Sequence, residues 1–369
     1  MSAPVRRIAI STGGGDAPGL NAVIRAVLLS ALGQGWECYG IRDGYNGLLM
    51  PERYPQGGMV LLTRERVRGI AHIGGTILGT SNRGDPLHYP VRQPDGTLAE
   101  VDRTDELIAG LAAHGIDALV SVGGDGSLLI ANALHRKGVR VVSVPKTIDN
   151  DLDKTFTTFG FDTAVSFATE CLDRLHSTAA SHQRVIVVEV MGRYAGWIAL
   201  HAGMAGGAHG ILIPEIPFDI DKLASGLQMR DASGRPYSII IVAEGARPAG
   251  GERALAAPAQ AGRAERLGGI GERVAGAIQE RSGKEVRLVV LGHLLRGGSP
   301  TAFDRLAALR FGAAAVRALA AGRSGVMVAL AFPNVAYVAL EDVAGRMKAV
   351  PLDCDTLQTA RDLGICFGD

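Results

Sequence analysis

The chain has 369 residues, more than one domain usually holds, so two domains are expected. Its 38 Lys and Arg nearly balance 37 Asp and Glu, which removes the electrostatic case for nucleic acid or a membrane surface. The four cysteines (Cys38, Cys171, Cys354 and Cys366) form no CxxC pair, which speaks against a zinc site or disulfide framework and for a reducing, cytoplasmic setting.

No window reaches the ~18 uninterrupted apolar residues of a membrane span, and no early stretch reads as a signal peptide. VRRIAIST reads as a strand, GGGDAPGLN as a turn, and AVIRAVLLSALGQG as a helix by its apolar spacing. ECYGIRDGYNGLL begins a second strand. TDELIAGLAAHGI is an amphipathic helix, DALVSVGG a buried strand, SLLIANALHRKG a helix ending at Gly138, and VRVVSVPK a strand. FDTAVSFATECLDRLHSTAASH is a long helix, RVIVVEVMG a strand, YAGWIALHAGMAGG a helix and YSIIIVAEGA a strand. ARPAGGERALAAPAQAGRAERLGG breaks the pattern and reads as a surface insertion able to move. Continuous apolar strands alternating with helices predict an α/β fold with mostly parallel sheets covered on both faces. Ligands bind such sheets at the carboxyl ends of the strands.

Several clusters fall at those ends. In TGGGDAPGLN, Thr12 to Asn21, backbone amides and a helix start suit a phosphate; the alternative is a tight turn with Asp16 as a cap. The run fits neither GxGxxG with a following acid nor GxxxxGK[ST]. In GGDGS, Gly123 to Ser127, Asp125 can hold Mg²⁺ while amides hold phosphates, or else Asp125 caps the next helix. PKTIDND, Pro145 to Asp151, sets Asp149 and Asp151 beside a hydroxyl and Lys146. Such close like charges call for a cation nearby. Asp149 suits a base that takes a proton from an attacking hydroxyl; an Asx turn at Asn150 and Asp151 is the alternative. Arg184 and Arg193 flank one strand, Arg287 lies just before another, and His293 and Arg296 follow it. Arginine forks suit phosphate oxygens.

With these residues in view, the chain resembles the 6-phosphofructokinase family along nearly its whole length. The resemblance rests on GGGDAPGLNAVIR, IRDGYNGLL, GGTILGTS, GGDGS, PKTIDND, SHQRVIVVEVMGRYAGWIAL, VAEGA and LGHLLRGGSPTAFDR. It implies two similar Rossmann-like three-layer domains with the active site in the cleft between them. Residues 1–160 plus 295–345 would bind the donor, and 161–294 plus 346–369 the sugar. The implied reaction transfers phosphate from Mg-ATP to the 1-hydroxyl of fructose 6-phosphate. Asp149 would be the base, Asp125 would hold Mg²⁺, and Asp151 would position metal or base. Thr147 and Arg193 would stabilise the transferring group. Gly15, Asn82 or Arg83, Gly124, Asp125, Gly126 and Ser127 would line the donor pocket. Thr147, Ile148, Asp149, Met191, Gly192, Arg193, Glu244, His293 and Arg296 would meet the sugar, with Arg184 and Arg287 reaching in from a neighbouring subunit. That implies a homodimer or homotetramer.

Two positions bear on the donor. Pyrophosphate-using members of the family place an Asp where Gly126 stands, which would repel the α-phosphate of ATP. Lys146 is the residue those members carry, yet some ATP users combine Gly and Lys as this chain does. The steric and charge block decides for ATP, with pyrophosphate the alternative. In the slot where many ATP users carry arginine this chain has Asn82, with Arg83 one residue later. Arg25 stands where allosteric members have a basic effector residue, but Leu29 and His176 replace others, which argues against control by ADP or phosphoenolpyruvate. A different GGDG kinase, acting on NAD or a lipid, would lack TIDND and HxxR. A catalytically dead binding subunit would have lost Asp149, Asp125 or Arg193.

Overall fold

A computed structural model of the chain describes residues 4–82, 84–258 and 265–369. In chain order the elements begin with β1 (Arg7–Thr12), α1 (Leu20–Gly33), β2 (Glu37–Ile41), α2 (Asn46–Leu49), β3 (Met59–Leu61), β4 (Tyr89–Arg92) and β5 (Leu98–Val101). Next come α3 (Thr104–Ala113), β6 (Ala118–Gly123), α4 (Asp125–Arg136), β7 (Val141–Pro145), α5 (Phe161–His182), β8 (Val185–Val190), α6 (Trp197–Ala205) and β9 (Gly210–Leu212). They continue with α7 (Ile220–Ala232), β10 (Ser238–Ala243), β11 (Leu255–Ala257), β12 (Arg266–Leu267), α8 (Ile270–Ser282) and β13 (Val286–Val290). The last are α9 (Ala302–Ala320), β14 (Val326–Ala331), β15 (Asn334–Ala339), α10 (Leu340–Val343) and α11 (Asp355–Asp362).

Two sheets organise these elements. The larger runs β15-β14-β7-β6-β1-β2-β3, parallel except for its two edge strands. The smaller, β13-β8-β10-β9, is parallel throughout. The sequence explains this: β6, β8 and β10 are buried along their whole length, so each needs a helical layer on both faces. Helices α1 and α9 pack against one face of the first sheet, and α3 and α4 against the other. Helices α5, α6 and α11 cover one face of the second sheet, and α7 and α8 the other.

Crossings of the chain hold the halves together. It leaves the first sheet after β7, returns to it through α9, β14 and β15, and crosses again through residues 344–350 to α11. Buried Asp304, near the start of α9, accepts from the Thr163 N–H at 2.7 Å and the Thr163 hydroxyl at 2.6 Å, at the start of α5. The Thr301 hydroxyl donates to Asp162 at 2.5 Å. Both carboxylates thus sit where helix N-termini welcome negative charge.

Two alternatives and one expectation from the sequence need correction. Asp16 does not cap α1; the cap is Gly19, at φ +109°, where a Cβ would lie 2.7 Å from the Phe159 ring. Asp125 does not cap α4 but is its first residue, after Gly124. The segment read as a plain insertion carries the short β11–β12 ladder, with Leu255 opposite Leu267.

Candidate active site

The carboxyl ends of the two sheets meet at the junction. Arg296, in the 3-10 turn Gly292–Arg296 after β13, donates to the Asp16 carbonyl at 3.2 Å, in the glycine turn after β1. A Cβ on Gly15 would lie 2.8 Å from the Arg296 Nη1, so this glycine is what lets the guanidinium approach the backbone. The Lys146 ammonium donates to the Gly15 carbonyl from beneath. Burial pulls its pKa down to about 8, Arg296 adds to that, and the nearby Asp16, Asp151 and Asp149 oppose it.

The loop after β7 carries the carboxylates. Ile148 is fully buried in the core of the second half, beside Ala17, and this anchors a first-sheet loop across the junction. The Asp149 N–H donates to the Thr147 hydroxyl at 3.1 Å, and the Thr158 hydroxyl donates to the Thr147 carbonyl at 2.7 Å. So the turn is closed by Thr147 rather than by an Asx turn at Asn150. Asp149 Oδ1 is buried with no hydrogen-bond partner. Burial and then the Asp151 charge push its pKa well above the usual carboxylate range, against the pull of Arg296. Burial also raises Asp151, against the Thr147 hydroxyl, with the Asp125 charge adding to the rise. Asp125 is raised by burial too, and its Oδ1 accepts from the Gly345 N–H at 3.2 Å.

Around the donor side, Gly124 sits 3.4 Å, by its would-be Cβ, from the Lys146 carbonyl, and Ser127 packs under Gly13 and Gly123. Gly126 is exposed, and a Cβ there would meet nothing within 4 Å. The loop holding Asn82 lies over the glycine turn: Gly14 N–H donates to Ser81 at 3.2 Å, and the Thr80 hydroxyl donates to the Gly14 carbonyl at 2.6 Å. Arg83 lies outside the described residues.

On the other side, Met191, Gly192 and Arg193 follow β8, and Glu244 follows β10. The Glu244 N–H donates to Val190 at 2.9 Å, which keeps the two strand ends in register. Burial raises the Glu244 carboxyl, chiefly against Arg193. Arg193 donates to the Glu265 carbonyl beside β12, a contact that nothing in the sequence signalled. His293 is exposed in the turn after β13.

Arg184 and Arg287 do not join this group. Arg184 precedes β8 and so stands roughly 20 Å of strand away from Met191. Arg287 is the second residue of β13, inside the strand rather than before it. Both bond one carboxylate, Glu285, with Arg184 Nε at 2.8 Å. A surface cavity of about 700 Å³ beside α7, lined by His209, Lys222 and Arg230, contains none of the expected site residues.

The sequence profile described as phosphofructokinase matches residues 7–319. The chain belongs to the phosphofructokinase family. It is 51% identical over 369 residues to the ATP-dependent 6-phosphofructokinase of Chloroflexus aurantiacus, covering 100% of this chain and 99% of the relative. It is 49% identical over 350 residues to the pyrophosphate–fructose 6-phosphate 1-phosphotransferase of Amycolatopsis mediterranei, covering 94% of this chain and 97% of that one. Among solved structures, Saccharomyces cerevisiae phosphofructokinase superposes with a TM-score of 0.77 at 31% identity, over 91% of this chain and 45% of that one. The pyrophosphate-dependent phosphofructokinase from Marinobacter aquaeolei shares the fold, with a TM-score of 0.79 at 23% identity over 98% and 92% of the two chains. Among the described residues no helix is long and apolar enough to cross a membrane.

Proposed function

We propose that this phosphofructokinase transfers the γ-phosphate of Mg-ATP to the 1-hydroxyl of fructose 6-phosphate, giving fructose 1,6-bisphosphate and ADP, in the cytoplasm. The observation that carries the reading is the partnerless, buried Asp149 Oδ1 at the junction of the two strand-end clusters. A buried polar atom left without a partner is rare and costly, and a substrate hydroxyl is the partner this one lacks. Asp149 takes the proton of the 1-hydroxyl as that oxygen attacks the γ-phosphorus. The bond from the γ-phosphorus to its bridging oxygen breaks, and ADP leaves with the electron pair. Thr147 and Arg193 face the transferring group, where fixed donors act most strongly. Arg193 has to exchange the Glu265 carbonyl for a phosphate oxygen to do so.

The donor set fits Mg²⁺. Asp125 and Asp151 are hard oxygen ligands whose charges are crowded in a buried setting. Among the described residues no three His, Cys, Asp or Glu side chains form a self-contained metal site. One or two carboxylates completed by substrate phosphates is the usual arrangement for this ion. Bound there, it neutralises charge on the donor phosphates.

His293 and Arg296 are assigned to the sugar phosphate, and Met191, Gly192 and Glu244 to the sugar. Arg184 and Arg287 are assigned to the site of a neighbouring copy, because their own site lies at the other end of the strands. The exposed end of edge strand β13 and the turn after it support such a neighbour: Val290 and Leu294 are 54% and 63% exposed beside a cavity of about 570 Å³ that includes His293.

A pyrophosphate donor is the second reading, favoured by Lys146 and by the Amycolatopsis relative. Against it stands Gly126. The open space above this residue shows that the fold itself does not demand glycine there, which leaves room for an α-phosphate as its use. A coupled assay with fructose 6-phosphate, run side by side with Mg-ATP and Mg-pyrophosphate, tests both. Faster turnover with ATP is expected; a preference for pyrophosphate would reverse the donor assignment.

A further inference from the structure

Asn150 lies between Asp149 and Asp151 and has a left-handed backbone, φ +52°. Glycine and, after it, asparagine adopt that conformation most readily, and here neighbours hold it as well. Asn150 is buried, and its side-chain oxygen accepts from the Thr158 N–H at 3.2 Å and from the Lys348 ammonium at 2.8 Å. The same ammonium donates to the Thr155 carbonyl at 3.0 Å and the Phe156 carbonyl at 3.2 Å. An ammonium has three hydrogens to give, and all three go to residues 150–156.

Lys348 belongs to the strap 345–350 that crosses from α10 to α11. The strap has other attachments. The Lys348 N–H donates to the Asp151 carbonyl at 2.8 Å, the Trp197 indole donates to the Lys348 carbonyl at 2.9 Å, and the Val350 N–H donates to Glu215 at 2.8 Å. Met347 forms a bridge with Leu152. The strap therefore docks largely through its backbone, and the half-buried ammonium, which also lies 5.7 Å from the Trp197 ring centre, gives its hydrogens to the loop.

We infer that Lys348 is a positioning residue for phosphoryl transfer: its ammonium fixes the Asn150 turn that sets the direction of Asp149 and Asp151. This rests on the reading of Asp149 as the base. Lys348 acts through Asn150 and the loop backbone, to which its ammonium gives its hydrogen bonds, while its charge is also felt by Asp151 and Asp153.

The test begins with the full-length wild type, fructose 6-phosphate and Mg-ATP; absence of turnover there would overturn the functional reading itself. With turnover established, Lys348→Met is expected to lower kcat by ~10- to 100-fold while both KM values stay within about threefold, the pattern of a lost transition-state alignment. Lys348→Arg should recover part of the loss. Asn150→Ala should lower kcat comparably, and the double variant should lose less than the sum of the two single losses, because the Lys348–Asn150 bond is common to both changes. Trp197 is one of two tryptophans, so a Trp36→Phe background makes it a sole reporter of strap docking, independent of activity. The Lys348 ammonium lies 5.7 Å from the Trp197 ring centre, so the emission maximum follows the charge itself; the accessibility of Trp197 to acrylamide reads docking instead and should be unchanged in Lys348→Met. Wild-type kcat in Lys348→Met, increased acrylamide quenching accompanying the loss, or additive losses in the double variant would each overturn the inference. If Lys348→Met does not fold, wild-type kcat in Asn150→Ala does the same.

Discussion

Around the first sheet the strand ends offer mostly backbone: Gly13 to Gly15 after β1, and Gly123, Gly124 and Gly126 flanking Asp125 after β6. Around the second sheet they offer side chains: Arg193 after β8, Glu244 after β10, His293 and Arg296 after β13. The two halves therefore differ in how they fail. A pocket walled by amides and glycines is blocked by adding a side chain; a pocket built from forks and carboxylates is emptied by removing one. Asp149 belongs to neither class alone, since its loop starts in the first sheet and anchors Ile148 in the core of the second.

Asp149→Asn strikes where the halves meet and should have the largest effect. The amide keeps the shape but cannot accept the proton, so turnover is expected to fall ~10²- to 10⁴-fold, the usual range for loss of a general base. Donor and sugar affinities, read by calorimetry, should persist. Near-normal turnover in the purified variant would remove Asp149 from the mechanism.

Gly126→Asp tests the backbone half by addition. A Cβ there meets nothing, and the position lies in the first turn of α4, where a carboxylate suits the helix dipole. The folded protein should therefore tolerate the change, which separates donor rejection from misfolding. Two like charges ~4 Å apart repel by about 4 kcal/mol at an effective dielectric of ~20, so ATP use should drop by up to ~10³-fold. Pyrophosphate, with no α-phosphate, escapes that repulsion. A variant that turns over ATP with a near wild-type KM would show that Gly126 is not the gate.

Arg184→Ala tests the side-chain half by deletion. A charge-assisted contact to phosphate is worth enough to raise the KM for fructose 6-phosphate by ~10- to 100-fold, with the KM for ATP little changed. If the residue serves a neighbouring copy, mixing this variant with Asp149→Asn subunits should restore some activity. Verified hybrids with no recovery would place each site within one chain.

The same contrast explains what could be read from the sequence. The parallel sheets were legible because β6, β8 and β10 are unbroken apolar runs, and the glycine and carboxylate clusters because each is contiguous. The β4–β5 hairpin was missed because its residues are largely exposed and lack a buried run. Groups meeting across long separations were also illegible. The Glu265 carbonyl on Arg193 is a backbone atom in a segment that reads as a loop. The Gly345 amide on Asp125 and Lys348 on Asn150 come from GRMKAVP, which carries no motif. The capping alternatives arose because Asp16 and Asp125 have capping chemistry, while the actual caps are Gly19 and Gly124.

The mildest test sharpens the junction itself through pH. Asp149 must be ionised to accept a proton, and burial together with the Asp151 charge raises its pKa. A raised pKa means that protonation persists to higher pH, so kcat/KM for fructose 6-phosphate should fall on the acid side, ~10-fold per unit below the inflection, and reach a plateau above it. The inflection should lie clearly above the ~4 of a free carboxylate. Removing the like charge with Asp151→Asn lowers the Asp149 pKa, so the acid limb should move to lower pH even though the variant is slower. Arg296 stabilises the ionised form, so Arg296→Gln should move the limb the other way. Opposite shifts in the two variants, one on the first-sheet loop and one on the second-sheet turn, would show both halves of the molecule setting the protonation of one carboxylate. An inflection near 4 in the wild type, or shifts of the same sign, would mean that the group that titrates is not Asp149.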